Sequence, residues 1–248
     1  MLPTWQIIYV FSCLFVAGLT ESTFGFGSAL IAMPLLVLVL DLRTASPIMA
    51  LVAVVLSVVV LAKSWRQIQF GGIWRLALGA LPGIPLGIWL LMSPHQDVMK
   101  LVLALIILAF PVYRLMGPAL PAPKKEWPAY LFGFLAGVLG GAYNTSGPPV
   151  VIYASLKRWE PGPFRASLLA FFLAISVFVN LGQYCSGNWT PAVLRLFALS
   201  LPVLLVAVLI GNWLHPRIPA GKFDRAVHVI LFGIGLSLLV GTLRTMLR

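Results

Sequence analysis

The chain has 248 residues, 60% of them hydrophobic and only 9% charged, with a mean hydropathy of +1.01. That composition excludes a soluble globular domain and points to a polytopic membrane protein. The net charge of +11 does not indicate nucleic acid, because the basic residues sit in short loops between apolar runs. There they read as topology determinants facing the cytoplasm and its anionic lipids.

The amino-terminal stretch from Met1 to Gln6 lacks the positive charge of a signal peptide and no cleavage site follows it, so the first apolar segment is expected to remain. Apolar segments run from Trp5 to Leu40, Thr44 to Lys63, Gly71 to Met92 and Val98 to Met116. A loop containing Pro118, Pro121, Pro123, Lys124 and Lys125 then forms the natural joint, dividing the chain into membrane repeats over 1–118 and 119–248. The second set runs from Trp127 to Leu156, Arg165 to Ser186, Pro191 to His215 and Phe223 to Met246. Cys13 and Cys185 lie within or at the end of apolar runs and read as unpaired thiols.

The first segment of each set is too long for one crossing and is interrupted midway. The breaks are Glu21-Ser22-Thr23-Phe24-Gly25-Phe26-Gly27-Ser28 and Gly140-Gly141-Ala142-Tyr143-Asn144-Thr145-Ser146-Gly147-Pro148-Pro149. Glycine and proline free backbone groups that lipid cannot satisfy, so each break must be buried in protein or line a wet cavity. Ser146 suits an N-cap and Pro148 the first turn of a new half-helix, whose positive end attracts anions.

A shift of 119 positions aligns the two regions, with Phe15, Ala17, Gly18 and Phe24 falling on Phe134, Ala136, Gly137 and Tyr143. Ser57, Val58 and Val60 fall on Ser176, Val177 and Val179; with small further shifts, Gly87-Ile88-Trp89-Leu90 matches Gly211-Asn212-Trp213-Leu214. Matched broken helices in two halves are the sequence mark of a transporter site.

Each broken segment could be one interrupted span or a re-entrant hairpin. As single spans, the basic residues divide 8 to 9 across the membrane. As hairpins, the stretches 63–75, 114–125, 157–165 and 217–225 place twelve of the 17 on one side. Only Arg43, Lys100, Arg195, Arg244 and Arg248 then remain opposite. The positive-inside bias selects hairpins. A hairpin plus three crossings is an odd unit, so the halves would be inverted, both termini outside, and the hairpin tips brought together near the midplane for alternating access. The expected fold is thus an all-α polytopic membrane protein of two inverted repeats, each a hairpin followed by three transmembrane helices.

Glu21 is the single acidic residue inside a predicted membrane segment, and such carboxylates mark ion or proton paths, making it the candidate for proton coupling. Ser22, Thr23, Ser28, Asn144, Thr145 and Ser146 offer more neutral donors than capping requires and are the candidate substrate-binding groups. Gly25, Gly147 and Pro148 shape the breaks around them, and Phe24, Phe26 and Tyr143 are candidate pocket walls. Ser57, Ser176 and Asn180 extend the polar set or bond neighbouring helices. Arg165 reads as a topology anchor that also attracts anions. His95, His215 and His228 are widely spaced and form no metal-ligand pattern. No serine–histidine–acid set, paired carboxylates or phosphate loop lies at helix depth, so neither catalysis nor a cofactor is expected.

The stretch from Gly25 to Leu36, GFGSALIAMPLL, and that from Gly140 to Tyr153, GGAYNTSGPPVVIY, resemble the two glycine-rich motifs of the sulfite exporter TauE/SafE family, also called the toluene sulfonate uptake permease family. The resemblance covers nearly the whole chain. It implies a multi-pass carrier of the bacterial or archaeal inner membrane for a small sulfur-containing anion such as sulfite, a sulfonate or sulfoacetate. The leading expectation is therefore a secondary exporter embedded in the lipid bilayer. A narrow anion channel, or a carrier of a non-sulfur carboxylate, is the alternative. Oligomeric state is left open by the sequence.

Overall fold

A computed structural model describes residues 3–62, 65–68, 70–116, 125–157, 161–215, 217, 232–233 and 235–244. Lys63, Lys124, Arg158, Lys222, Arg225, Arg248 and His228, together with the joint at residues 118 and 119, lie outside the described residues. The described chain is all-helical. Its helices are α1 (Thr4–Phe24), α2 (Ser28–Leu36), α3 (Leu42–Leu61), α4 (Phe70–Leu91), α5 (Gln96–Met116), α6 (Pro128–Tyr143), α7 (Gly147–Leu156), α8 (Pro161–Cys185) and α9 (Pro191–Leu214). A shorter apolar helix, α10 (Gly235–Arg244), follows. Six of them, α1, α3, α4, α5, α8 and α9, are long and apolar enough to cross a bilayer. Their outer faces carry large exposed apolar side chains such as Leu105, Leu181, Leu205 and Leu209, which only lipid would solvate favourably. Trp5, Trp65, Trp89, Trp127 and Trp213 are exposed near helix ends, where indole rings sit at the membrane interface.

The breaks form where the sequence places them, for local reasons. Gly25 takes φ 83° and closes α1 with its N–H on the Glu21 carbonyl at 2.7 Å, and Gly27 takes φ 96° before α2 begins. These left-handed conformations suit glycine because no Cβ strikes the backbone. In the second half Asn144 takes φ 54°, and α6 ends with Asn144 N–H on Gly140 O (2.9 Å) and Thr145 N–H on Leu139 O (3.2 Å). Asparagine is among the few non-glycine residues that tolerate this region.

Both broken segments are hairpins. The Tyr9 hydroxyl, near the start of α1, donates to the Leu35 carbonyl at the end of α2 (3.2 Å). Collinear helices would hold those residues roughly 40 Å apart at 1.5 Å per residue. In the second half the Phe132 and Tyr153 rings approach to 5.8 Å, and Lys157 after α7 pairs with Glu126 before α6 at 2.8 Å. Glu126 also meets Arg75 at the start of α4 (3.2 Å), while Arg43 at the start of α3 donates to Met92 O beyond α4 (2.6 Å).

Packing between the halves is reciprocal: α4 lies along α6, and α9 lies along α1. In the first pair, Gly79, Gly83 and Gly87 face Gly133, Gly137 and Gly141, and a Cβ at any of the six would overlap backbone of the other helix. Repeated small residues four apart let helix backbones approach closely, the device by which membrane helices associate without a hydrophobic drive. In the second pair a Cβ on Gly18 would lie 3.0 Å from the Ala207 methyl, and one on Gly211 would strike Ser22. Gly18 and Gly137, and Gly87 and Gly211, are the positions matched by the internal alignment. The fourth helix of each half thus seals the hairpin of the other.

Candidate anion site between the broken helices

Where the two breaks come together they enclose a cavity of about 40 Å³. It is lined by Glu21 and the first turn of α2 (Gly27, Ser28, Ala29, Leu30), by Asn144, Thr145, Ser146 and Gly147, and by Ala53, Phe172, Ile175 and Ser176. That volume holds one or two waters. An oxyanion would require the hairpins to separate slightly.

The electrostatics of its two rims differ. On the α2 rim the first helical bond is Ile31 N–H to Gly27 O at 3.1 Å, so the amides of Ser28, Ala29 and Leu30 precede the helical ladder and give its end a positive character. On the α7 rim, Pro148 and Pro149 carry no N–H, which removes two of the first donors. Ser146 stands at the N-cap position, as its sequence suggests, but its side chain accepts no amide there. The α2 end is therefore the stronger anion seat.

That seat already faces a carboxylate. Glu21 is 3% exposed; one of its oxygens accepts from the Ser28 hydroxyl, and the other accepts from the Ser57 hydroxyl at 3.3 Å. Across the cavity, Thr145 is 1% exposed and its hydroxyl has no hydrogen-bond partner among the described residues. A buried hydroxyl without a partner is costly, and one on a cavity wall is a ready group for a bound ligand.

The candidate residues thus separate into two sets. Glu21, Ser28, Asn144, Thr145, Ser146 and Gly147 are brought together around the cavity. Asn144 additionally donates to Met49 O at 3.0 Å, which fixes the tip of the second hairpin. The other six are not among the cavity-lining residues. The Ser22 hydroxyl returns to Gly18 O (2.6 Å) and the Thr23 hydroxyl to Leu19 O (2.6 Å), both on their own helix. Tyr143 donates to Met99 O at 2.9 Å. Phe24 is half-buried at the end of α1, Gly25 packs under the Arg165 stem, and Pro148 is buried inside α7.

Ser176 joins the wall and Asn180 donates to Ala50 O (2.8 Å), so these two residues of α8 divide between cavity and helix packing. Sequence reasoning missed Phe172 and Ile175; Phe172 lies one helical turn before Ser176, and Ile175 is its immediate neighbour. It also missed the contacts of Arg165 and His215 with the first hairpin. Among the described residues, no three His, Cys, Asp or Glu side chains gather to hold a metal.

Helices long and apolar enough to cross a bilayer, around two broken hairpins that meet at a cavity with polar groups on both walls, fit a membrane transporter. The chain belongs to the sulfite exporter TauE/SafE family, whose profile matches residues 10–238. A probable sulfite/organosulfonate exporter TauE of Cupriavidus necator is 27% identical over 202 residues, covering 77% of this chain and 79% of that protein. A probable inner membrane transporter protein TsaS of Comamonas testosteroni is 26% identical over 182 residues, 71% and 74% of the two chains. No solved structure matches the chain.

Proposed function

We propose that the protein is a secondary carrier that exports a small sulfur-containing anion, of the sulfite, sulfonate or sulfoacetate class, by alternating access. The observation that carries this reading is the cavity itself: a positive half-helix end on one wall and an unpartnered Thr145 hydroxyl on the other. The substrate class follows the names of the two relatives. In this reading residues 1–118 and 119–248 are inverted repeats, with the hairpins entering from opposite sides of the cell inner membrane and both termini outside. The reciprocal packing of α4 on α6 and of α9 on α1 supports it. Glu21 couples transport to protons, because its carboxylate and a substrate anion compete for the same positive end of α2.

Counterflow in proteoliposomes tests the mechanism. Internal unlabelled sulfite or sulfonate should accelerate uptake of the labelled anion, and uptake should saturate. A channel would conduct without that trans-stimulation, and acceleration by carboxylates alone would reassign the substrate.

A further inference from the structure

The carboxyl end of α1 is held by the other half of the chain. Of the carbonyls its last turn leaves free, Ser22 O accepts from Arg165 Nη2 at 2.6 Å, and Thr23 O lies 2.6 Å from His215 Nδ1. Arg165 belongs to the start of α8 and His215 caps the end of α9; α1 has no basic residue of its own in its last turn. The two side chains also meet, with Arg165 Nη1 3.2 Å from His215 Nε2. The Arg165 stem crosses Gly25, the φ 83° glycine that ends α1, and any side chain there would run into it.

This arrangement fixes the state of His215. A carbonyl oxygen only accepts, so Nδ1 carries the proton toward Thr23 O; a guanidinium only donates, so Nε2 must be bare to receive Arg165. Both contacts form together only in the neutral Nδ1–H tautomer. A second proton, on Nε2, would face the guanidinium with a donor and a like charge, and the bond to Arg165 would be lost.

The other hairpin tip is held differently. Gly141 O, which the internal alignment matches to Ser22 O, accepts from the neutral amide of Gln183 (3.4 Å), farther along the same helix α8. One tip is thus held by a titratable pair and the other by a group that does not titrate.

We propose that Arg165 and His215 are positioning residues that latch the tip of the first hairpin, and that protonation of His215 releases it. Acid on the face where α8 begins and α9 ends would then open that side of the cavity while the Gln183 contact stays closed. The charged groups around the latch are few among the described residues. Glu21 on α1 is turned to Ser28 and Ser57, and Arg217 beyond α9 lies over the Trp213 ring with its Cζ 4.1 Å from the centroid. The latch does not depend on which anion is carried.

Hydrogen–deuterium exchange of the protein in nanodiscs tests it without substrate, read on peptides covering residues 19–30 and corrected for intrinsic rates. On acidification from about pH 8 to 5, exchange of this segment should rise at least about tenfold, as expected for loss of a charge-assisted bond. His215→Gln should abolish the pH step, and Glu21→Gln should retain it. A wild-type segment with no step overturns the proposal, as does a step that survives His215→Gln or vanishes in Glu21→Gln. Should the histidine variant fail to fold, ring ¹⁵N shifts of His215 in the wild type decide. They should show the Nδ1–H tautomer at neutral pH and titrate with the exchange step. A midpoint more than about one pH unit away from that step overturns the latch.

Discussion

The Ser28 hydroxyl donates to the Glu21 carboxylate, seven residues earlier, across the break of the first hairpin. Ser28 is the first residue of α2, so the bond seats the protein's own carboxylate at the positive end of the half-helix that would receive an anion. Under the proposed coupling, substrate and carboxylate exclude one another unless Glu21 takes up a proton. By linkage such a coupling is reciprocal: protons should tighten anion binding and a bound anion should favour protonated Glu21.

Glu21→Gln imitates the protonated form. It should bind sulfite or a sulfonate at least as well as wild type and retain counterflow, since exchange moves no net proton. Transport driven by a pH gradient should disappear. Vesicles in which the variant still concentrates substrate in response to pH would remove Glu21 from the coupling path.

Thr145→Val keeps the shape of the side chain and removes the unpartnered hydroxyl. Anion affinity should fall by about 1–3 kcal/mol, the usual cost of losing a buried polar partner. Stability of the substrate-free protein should hold or rise, because no existing bond is broken. Calorimetric titration together with thermal unfolding reads both quantities; unchanged affinity would move the anion away from this wall.

Gly137→Ala sets a methyl against the Ala80 carbonyl, where α4 and α6 touch backbone to backbone. Overpacking of this kind costs about 1–3 kcal/mol or more, so the thermal midpoint in detergent should drop. Gly71→Ala is the control, since a Cβ there meets nothing within 4 Å. Equal midpoints for the two variants would show that the glycine ladder does not set the helix spacing.

Cysteines introduced at Lys125 and Lys157 should label from the same side, which the 2.8 Å pair between Lys157 and Glu126 requires. That side should be the cytoplasmic one. Labelling from opposite sides would rule out the second hairpin.

The hydrogen bond from Lys157, aided by the charges of Lys157 and Arg75, holds the exposed Glu126 carboxyl below its ordinary range. Its contribution to stability is therefore present above the unfolded-state value and is lost as pH falls through the lower folded one. Because the group is exposed, the effect is small and screened by salt. Glu126→Gln should leave neutral-pH transport intact and reduce the loss of thermal stability on acidification, measured at low ionic strength. An identical acid profile in both proteins would show that the cluster carries no stability.

Much of this was legible in the chain because its causes are local. Apolar length defines a crossing, Gly25 and Asn144 end their helices through their own left-handed backbone, and the distribution of basic residues between apolar runs favours the hairpins that the Tyr9–Leu35 contact shows. Gly18 and Gly137, matched by the internal alignment, both lie at close helix contacts. What the polar groups at the breaks do was decided only by the tertiary structure. Ser22 and Thr23 look as available as Ser28 and Thr145 in the sequence, yet their hydroxyls are taken up by carbonyls of their own helix. Arg165 and His215 meet the end of α1 from 143 and 192 residues away. Which of these groups face the cavity, and which distant side chains reach the helix ends, depends on helices far apart in the chain being packed together, and no local pattern encodes that.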